Sequence, residues 1–582
     1  MLKQAIQYFC LNQKGENLDK FICEQYIPAD GEYIVVEEIE DSFRISERAI
    51  IKKDNKTKTI DETGIQNFTF ICKADYLSSV TDTNKSIEKK KVIHTNNYLS
   101  FAVKKESIIN GKLTEEIIHN YYNILKNPRS KYDKEKLNMY ENAEKEFGKV
   151  DEERLNKIEQ WICNNIYDLV PRDSKEKTYL KIFFKYDLSE YKRESKKYLI
   201  PNIYNNNDFN TNINDITYGL PNDNMGLNAK KPYLENKTRK TKVPFLISLD
   251  KVLLQKKFFD FLMNMANAGK VNIYLNEEII NTLPNGESLD NDFNGIYIRV
   301  KKGKEVEILD FDIINDYKVK LKRPIKLKNV LNINYENIKS DRTYDYINKL
   351  KTIKGLINEV LFSKFLNSNY FTEAKDISIN NNNLKMNLLL SRNILFNWFF
   401  KGNSQGVWEV LNKSSLSLIK GSINNGYMLR AAEQFNLRCA LKEYFKGGEE
   451  MADVLKEVKD SLRKKINIKS TDGTASIEND IEYYFAVGQL ASYFISLNKS
   501  KNKTHSLANP IINARNDDRI KQELKKLYKK YNYTIEFTRS RFENLNAMVS
   551  SYKPEGKVDD DLIIAGYLHS NLIFEKLHKE EN

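Results

Sequence analysis

Residues 481–497 read IEYYFAVGQLASYFISL, an apolar run of 17 residues without proline, relieved by Glu482, Gln489 and three tyrosines. The run is short and polar for a membrane span, and it is apolar on every side of a helical wheel. It therefore predicts a helix buried at the centre of a bundle. Its surroundings agree. Upstream, Met451, Val454, Leu455, Val458, Leu462 and Ile466 recur at helical spacing and draw one apolar stripe. Downstream, residues 517–531 and 542–552 read as two more helices. Asp559–Asp561 then suit the N-terminus of a last helix over 562–577, where acidic side chains meet the positive end of the dipole. The helical pattern starts near Arg342, and the run Asn380–Asn383 marks a boundary, so residues 380–582 form a C-terminal helical bundle.

The rest of the chain mixes periods. Glu32–Glu37, residues 67–72 (NFTFIC), Tyr98–Val103 and Thr178–Tyr186 read as strands, and residues 110–170 as helical, with Leu155, Ile158, Ile162 and Ile166 on one face. Lys251–Ala266 reads as a helix, and Ile296–Leu309 as a hairpin turning at Lys302-Gly303. The fold class is α+β. A mixed α/β region covers 1–215 and continues through 216–375 before the bundle begins.

Two segments stand apart by composition. Gly219–Pro244, GLPNDNMGLNAKKPYLENKTRKTKVP, holds two glycines, three prolines and four asparagines, so it forms neither one helix nor one strand. Its asparagine amides suit base edges, and its lysines and arginine suit phosphates. Ala74–Lys105 is the second. It interleaves Lys85, Lys89, Lys90, Lys91, Lys104 and Lys105 with His94, Asn96, Asn97 and Tyr98, a mixture fitted to backbone contact and stacking. A third basic set is Lys499, Lys501, Lys503, Arg515, Arg539 and Arg541. Each also has a plainer reading as solvated surface in an Asn- and Lys-rich chain.

Bulk properties point the same way. The chain has 582 residues, a net charge of +13 and a pI near 9.0, which favours an anionic partner. Five widely spaced cysteines form no CxxC pair, so a disulfide framework and a structural zinc are not expected, and a cytoplasmic setting is. Met1–Cys10 lacks the apolar core of a secretion signal. No phosphate-binding loop and no HExxH motif occur. Gly402-Asn-Ser404-Gln-Gly406 matches GxSxG in form, but it follows a helical segment rather than the strand that a nucleophile elbow needs. The acidic pair Asp310 and Asp312 keeps open a metal-dependent nuclease. From the residues alone, the reading is a non-enzymatic nucleic-acid binder without cofactor or metal.

Three runs carry a resemblance. DYLSSVTDTNKSIEKKKVIHTNNYLSF (Asp75–Phe101) and GLPNDNMGLNAKKPYLENKTRKTKVPFLIS (Gly219–Ser248) resemble segments of the large subunit of the type I-B CRISPR Cascade complex. AVGQLASYFISLNKSKNKTHSLANPIINARND (Ala486–Asp517), with KKYNYTI and IIAGYLHSNLIF after it, is similar to the helical C-terminal domain of that family. The resemblance implies a subunit that sits beside the crRNA handle among the backbone and small subunits. Such a subunit reads the PAM in duplex DNA, helps open the duplex, holds the displaced strand and recruits a trans-acting helicase–nuclease. Guide pairing reads the remainder of the target. On this view Asn222, Asn224 and Asn228 are base-edge candidates, Gly226 allows close approach, and Lys230, Lys231, Lys237, Arg239 and Lys240 meet phosphates. The Lys85–Asn97 segment contacts either the crRNA handle or neighbouring subunits. The resemblance also implies that a small subunit can start inside the chain, with Met428 or Met451 as candidate starts. The rival readings are the Asp310/Asp312 nuclease and a general basic scaffold.

Overall fold

The computed structural model describes residues 2–12, 18–40, 42–55, 57–81, 85–171, 175–205, 210–214, 216–221, 246–303, 305–335, 342–448, 450–469, 473–498, 505–535 and 540–575. It divides into two units, Met1–Glu287 with Gly295–Ile313, and Ser288–Asn294 with Ile314–Asn582. The architecture is α+β, mixed in the first unit and mainly helical in the second.

The first unit runs α1 (Leu2–Asn12), α2 (Leu18–Glu24), β1 (Gly31–Ile39), β2 (Ser42–Ile51), α3 (Phe68–Ser78), β3 (Ser100–Lys104), α4 (Lys105–Ile109), α5 (Glu115–Lys126), α6 (Lys134–Phe147), α7 (Glu152–Asn165), β4 (Tyr179–Phe184) and α8 (Leu188–Asn202). It continues with β5 (Thr211–Ile213), β6 (Ile216–Gly219), β7 (Ile247–Ser248), α9 (Leu249–Asn267), β8 (Asn272–Leu275), β9 (Ile280–Leu283) and most of β10 (Phe293–Lys302) and β11 (Val306–Tyr317), whose ends Phe293–Asn294 and Ile314–Tyr317 belong to the second unit. One sheet has the order β2-β1-β4-β3, a second β11-β10-β8-β9, and a third β5-β6-β7. In the first sheet β1 is parallel to β4 and antiparallel to β2, and Tyr33, Ile34, Val35 and Val36 are all fully buried, as a central strand requires. Helix α7 shows how local rules and packing agree. The Asp151 carboxylate accepts from Arg154 N at 3.0 Å as N-cap, while Leu155, Ile158 and Ile162 enter the core.

The second unit holds the ribbon β12 (Lys320–Lys326) and β13 (Tyr346–Lys349), then α10 (Leu350–Val360), α11 (Asn382–Lys401), α12 (Val407–Asn424), α13 (Met428–Lys446), α14 (Met451–Ile466) and α15 (Asp480–Ser496). It ends with α16 (Asn509–Ile512), α17 (Asp517–Tyr531), α18 (Ser540–Ser551) and α19 (Asp560–Leu568). Helix α15 is the expected central helix. Asn479 caps it, accepting from Glu482 N at 2.9 Å, and every residue from Glu482 to Ala491 is buried.

Three expectations are corrected. Residues 67–72 form the first turns of α3, not a strand. Their aromatic and β-branched content imitates strand propensity, but Ile71, Cys72, Ala74, Asp75 and Ser78 are buried at helical spacing and packing decides. The last helix stops at Leu568 instead of reaching 577. The buried Gln489 side chain donates to Gly566 O at 2.6 Å and accepts from Leu572 N at 2.8 Å, which diverts the chain into a short 3-10 turn. The change of unit comes near residue 314 rather than 375–380. Residues 216–375 are divided between the units because Val330 and Leu331, just beyond β12, bury themselves in the helical core.

Candidate nucleic-acid interface

The segment between α3 and β3 folds into a rigid knuckle rather than an open loop. Its centre is Glu88, a buried carboxylate that accepts the backbone N–H groups of Lys90, Val92 and Ile93. Those bonds bend the chain so sharply that Lys91 takes a φ of +60°, and they leave Lys89, Lys90 and Lys91 exposed on the outside of the turn. A buried acid thus shapes a surface of three cations.

Other expected contacts of this segment are corrected. Lys85, Asn96 and Asn97 are buried and engaged within the protein. Lys85 Nζ donates to Asn202 O at 2.7 Å and to Tyr204 O. Asn96 Nδ2 donates to Ser79 O at 2.7 Å, and Asn97 holds Tyr191 O at 3.1 Å and Leu99 N at 3.0 Å. Buried polar groups must find partners, and here the nearest unsatisfied backbone supplies them. His94 is half-buried, edge-on to the Tyr179 ring at 5.4 Å, and burial together with Lys104 and Lys181 lowers its pKa.

The Asn/Gly/Lys loop itself, with Asn222, Asn224, Gly226, Asn228, Lys230, Lys231, Lys237, Arg239 and Lys240, lies outside the described residues. Its stem does not. Strands β6 and β7 pair Tyr218 with Ser248 and Gly219 with Ile247. The Tyr204 hydroxyl lies 3.0 Å from Thr217 O and 2.9 Å from Ile247 O, so it touches both sides of the stem. At Gly219 a Cβ atom would fall 2.6 Å from the Tyr204 ring, so only glycine lets the stem pack this closely. Lys85 completes the arrangement. By holding Asn202 O and Tyr204 O it fastens the knuckle to the turn that grips the stem. The two basic segments, more than a hundred residues apart in sequence, share one foundation inside the first unit. Lys85→Met is expected to cost about 1.5–3 kcal/mol, because it leaves both carbonyls without their charged donor. Denaturant unfolding of the full chain measures this.

Lys131 braces the knuckle from α6's side. Its Nζ donates to Ile87 O at 3.0 Å and to Ser86 O. Burial, assisted by the charge of Lys136, brings its pKa down from the ordinary 10.5 to about 8. Between those two pH values the unfolded chain holds a proton that the folded chain has released, so raising the pH favours the folded state. The stability of the wild type relative to Lys131→Met should therefore increase from pH 8 to pH 10.5. A neutral amine keeps two N–H donors for the two carbonyls. Equilibrium unfolding at the two ends of this window checks the sign. Sequence patterning gives no sign of Lys131 or Tyr204, since their partners lie tens of residues away.

In the second unit, Arg515 is exposed, while Arg541 is drawn into internal packing. It donates to Asn467 Oδ1 at 2.7 Å and to Glu575 O at 2.5 Å, which corrects its expected place on a basic face. Lys499, Lys501, Lys503 and Arg539 lie outside the described residues. Ser404 sits in the turn between helices α11 and α12, so no strand presents it. Asp312 accepts from Ile313 N at 2.9 Å on β11, and among the described residues no group of three or more His, Cys, Asp or Glu side chains is placed to hold a metal ion. Asp559 caps α19, accepting from Leu562 N at 3.0 Å, Asp560 pairs with Lys420, and Asp561 is buried against Arg438. Among the described residues no helix is long and apolar enough to cross a membrane.

Comparison of the chain with protein-family models, curated proteins and solved structures finds no match in any of the three.

Proposed function

We propose that this chain is the non-catalytic large subunit of a crRNA-guided surveillance complex of the type I-B Cascade kind, acting in the cytoplasm in antiviral defence. It reads the PAM in duplex DNA, aids opening of the duplex, steadies the displaced strand and recruits a trans-acting helicase–nuclease. Its partners are crRNA, target DNA, and the backbone and small subunits. The observation that carries this reading is the shared foundation of the two basic segments through Lys85 and Tyr204. A loop that reads bases works best when its stem is fixed against a second group of phosphate contacts, because the fixed contacts set register and the loop supplies specificity. The net charge of +13 supports the same partner class.

The test is binding of the assembled crRNA complex to duplexes with randomised bases beside a matched protospacer. Asn222→Ala, Asn224→Ala and Asn228→Ala are compared with wild type. A short base preference, weakened in at least one variant, is expected; loss of a bidentate amide contact should remove about 1–3 kcal/mol of discrimination. A wild-type complex without any preference would overturn the reading. Metal-dependent cleavage by the isolated chain, abolished by Asp310→Ala, would establish the nuclease alternative instead.

A further inference from the structure

The most basic strand of the second unit belongs to neither segment discussed above. Residues 318–328 read KVKLKRPIKLK, six cations with no acidic residue among them. Four of the six are engaged. Lys318 pairs with Asp316 at 2.9 Å and Asp292 at 3.3 Å. Arg323 donates to Glu443 O at 2.7 Å, closing the C-terminus of α13, and Lys326 and Lys328 share Glu450. Lys320 and Lys322 are left, both exposed, and neither ion-pairs with a carboxylate among the described residues, although Lys320 feels the charge of Asp292.

Their placement is unfavourable for a protein that keeps this face empty. In the β12–β13 ladder Lys320 lies directly opposite Lys349, also exposed and also without an ion pair among the described residues. Like charges opposed across an antiparallel pair are destabilising. Lys320, Lys322 and Lys349 line a groove of about 720 Å³ together with Tyr444, Trp398 and the turn at Ser404. Asp290, Asp292 and Asp316 also line it, but Lys351 holds Asp290 at 3.0 Å and Lys318 holds the other two. Lys318 can cancel only one of its two carboxylates, so one negative charge stands against Lys320, Lys322 and Lys349, and the net surplus is positive.

We propose that this groove binds a single strand of nucleic acid through its phosphates, with Lys320, Lys322 and Lys349 as the contacts. Alternate residues of a strand stand about 6.7 Å apart on one face. That repeat is comparable with the separation of successive phosphates along an extended strand. The groove, at about 720 Å³, has room for a short stretch of a single strand. A strand seated there would also relieve the Lys320–Lys349 repulsion. The choice of nucleic acid rests on the function proposed above; the surplus charge does not.

The experiment uses the full chain and a short fluorescent single strand over a series of salt concentrations. Lys320→Ala/Lys322→Ala/Lys349→Ala is compared with wild type and with Lys89→Ala/Lys90→Ala/Lys91→Ala. The groove variant should bind about tenfold more weakly at low salt and lower the salt slope by about 2, three phosphate contacts at about 0.7 each. Removing opposed like charges should leave its melting temperature equal or higher. If that variant does not fold, protection of Lys320, Lys322 and Lys349 from acylation in wild type on adding the strand decides the matter. Groove-variant binding equal to wild type, absence of protection, or displacement of the strand by polyglutamate as readily as by unlabelled strand would overturn the proposal. Loss confined to the Lys89–Lys91 variant would remove the groove and leave the functional reading standing. Loss in the groove variant, with no base preference in the assembled complex, would do the reverse.

Discussion

Arg438→Met is expected to destabilise the second unit by about 3–5 kcal/mol, because it strands a buried carboxylate. Arg438 and Asp561 have side chains only 5% and 8% exposed and meet at 2.7 Å, while the remaining guanidinium N–H groups hold Asn412 O, Asn412 Oδ1 and Ser415 Oγ. One side chain thereby joins α12, α13 and α19. Pairing Arg438→Met with Asp561→Leu should recover most of the loss, since an apolar replacement of both partners removes the uncompensated charge. Lys442, which reaches the same carboxylate at 2.9 Å but is 42% exposed, should matter much less; Lys442→Ala is expected to cost under about 1 kcal/mol. Denaturant unfolding of the full chain followed by a probe in the second unit distinguishes the three. The pH dependence has a definite sign. Burial alone would raise the Asp561 pKa, but Arg438 and Lys442 bring it below the ordinary 3.8. Its contribution is therefore complete above pH 3.8 and disappears as the pH falls through the lowered value.

Gly566→Ala should be comparably severe, at about 3 kcal/mol or more. Helices α15 and α19 cross so closely that a Cβ atom on Gly566 would lie 2.1 Å from Phe485 O, and one on Gly488 2.2 Å from Ile563 O. Both obstacles are backbone, so no rotamer change relieves them. Gly355→Ala is the matched contrast. It lies within α10 with nothing within 4 Å of the added methyl, and there alanine should stabilise by about 0.5–1 kcal/mol through helix propensity. Thermal melts of the two variants should move in opposite directions, and a harmless Gly566→Ala would refute the close crossing.

Helical segments were the most legible part of the sequence. Asp517–Tyr531 and Met451–Ile466 occupy the spans that their apolar stripes predict, and the central helix lies within a residue of its expected limits. There, period and packing ask for the same thing. Legibility failed where a distant group decided the outcome. Nothing near residue 568 announces a helix end, because Gln489 imposes it from another helix. Phe68–Cys72 carries strand-like residues on a helical burial pattern. The candidate site divides in the same way. Composition identified the Lys89–Lys91 surface, but it could not separate those lysines from Lys85, whose environment depends on a turn at residues 202–204. The alternation Lys318, Lys320, Lys322 is a strand-period signal present in the sequence. Its meaning depended on the register that sets Lys320 against Lys349.

The Glu88 turn bears on how quickly a partner can be captured. Because three backbone N–H groups are already fixed on one carboxylate, the ordering entropy of residues 88–93 is met during folding and does not recur at encounter. Association at the lysine tip is then limited by diffusion and long-range attraction rather than by rearrangement, so on-rates there should be fast and fall steeply with ionic strength. A tip of this kind suits a first, short-lived touch on a polyanion, made and broken many times.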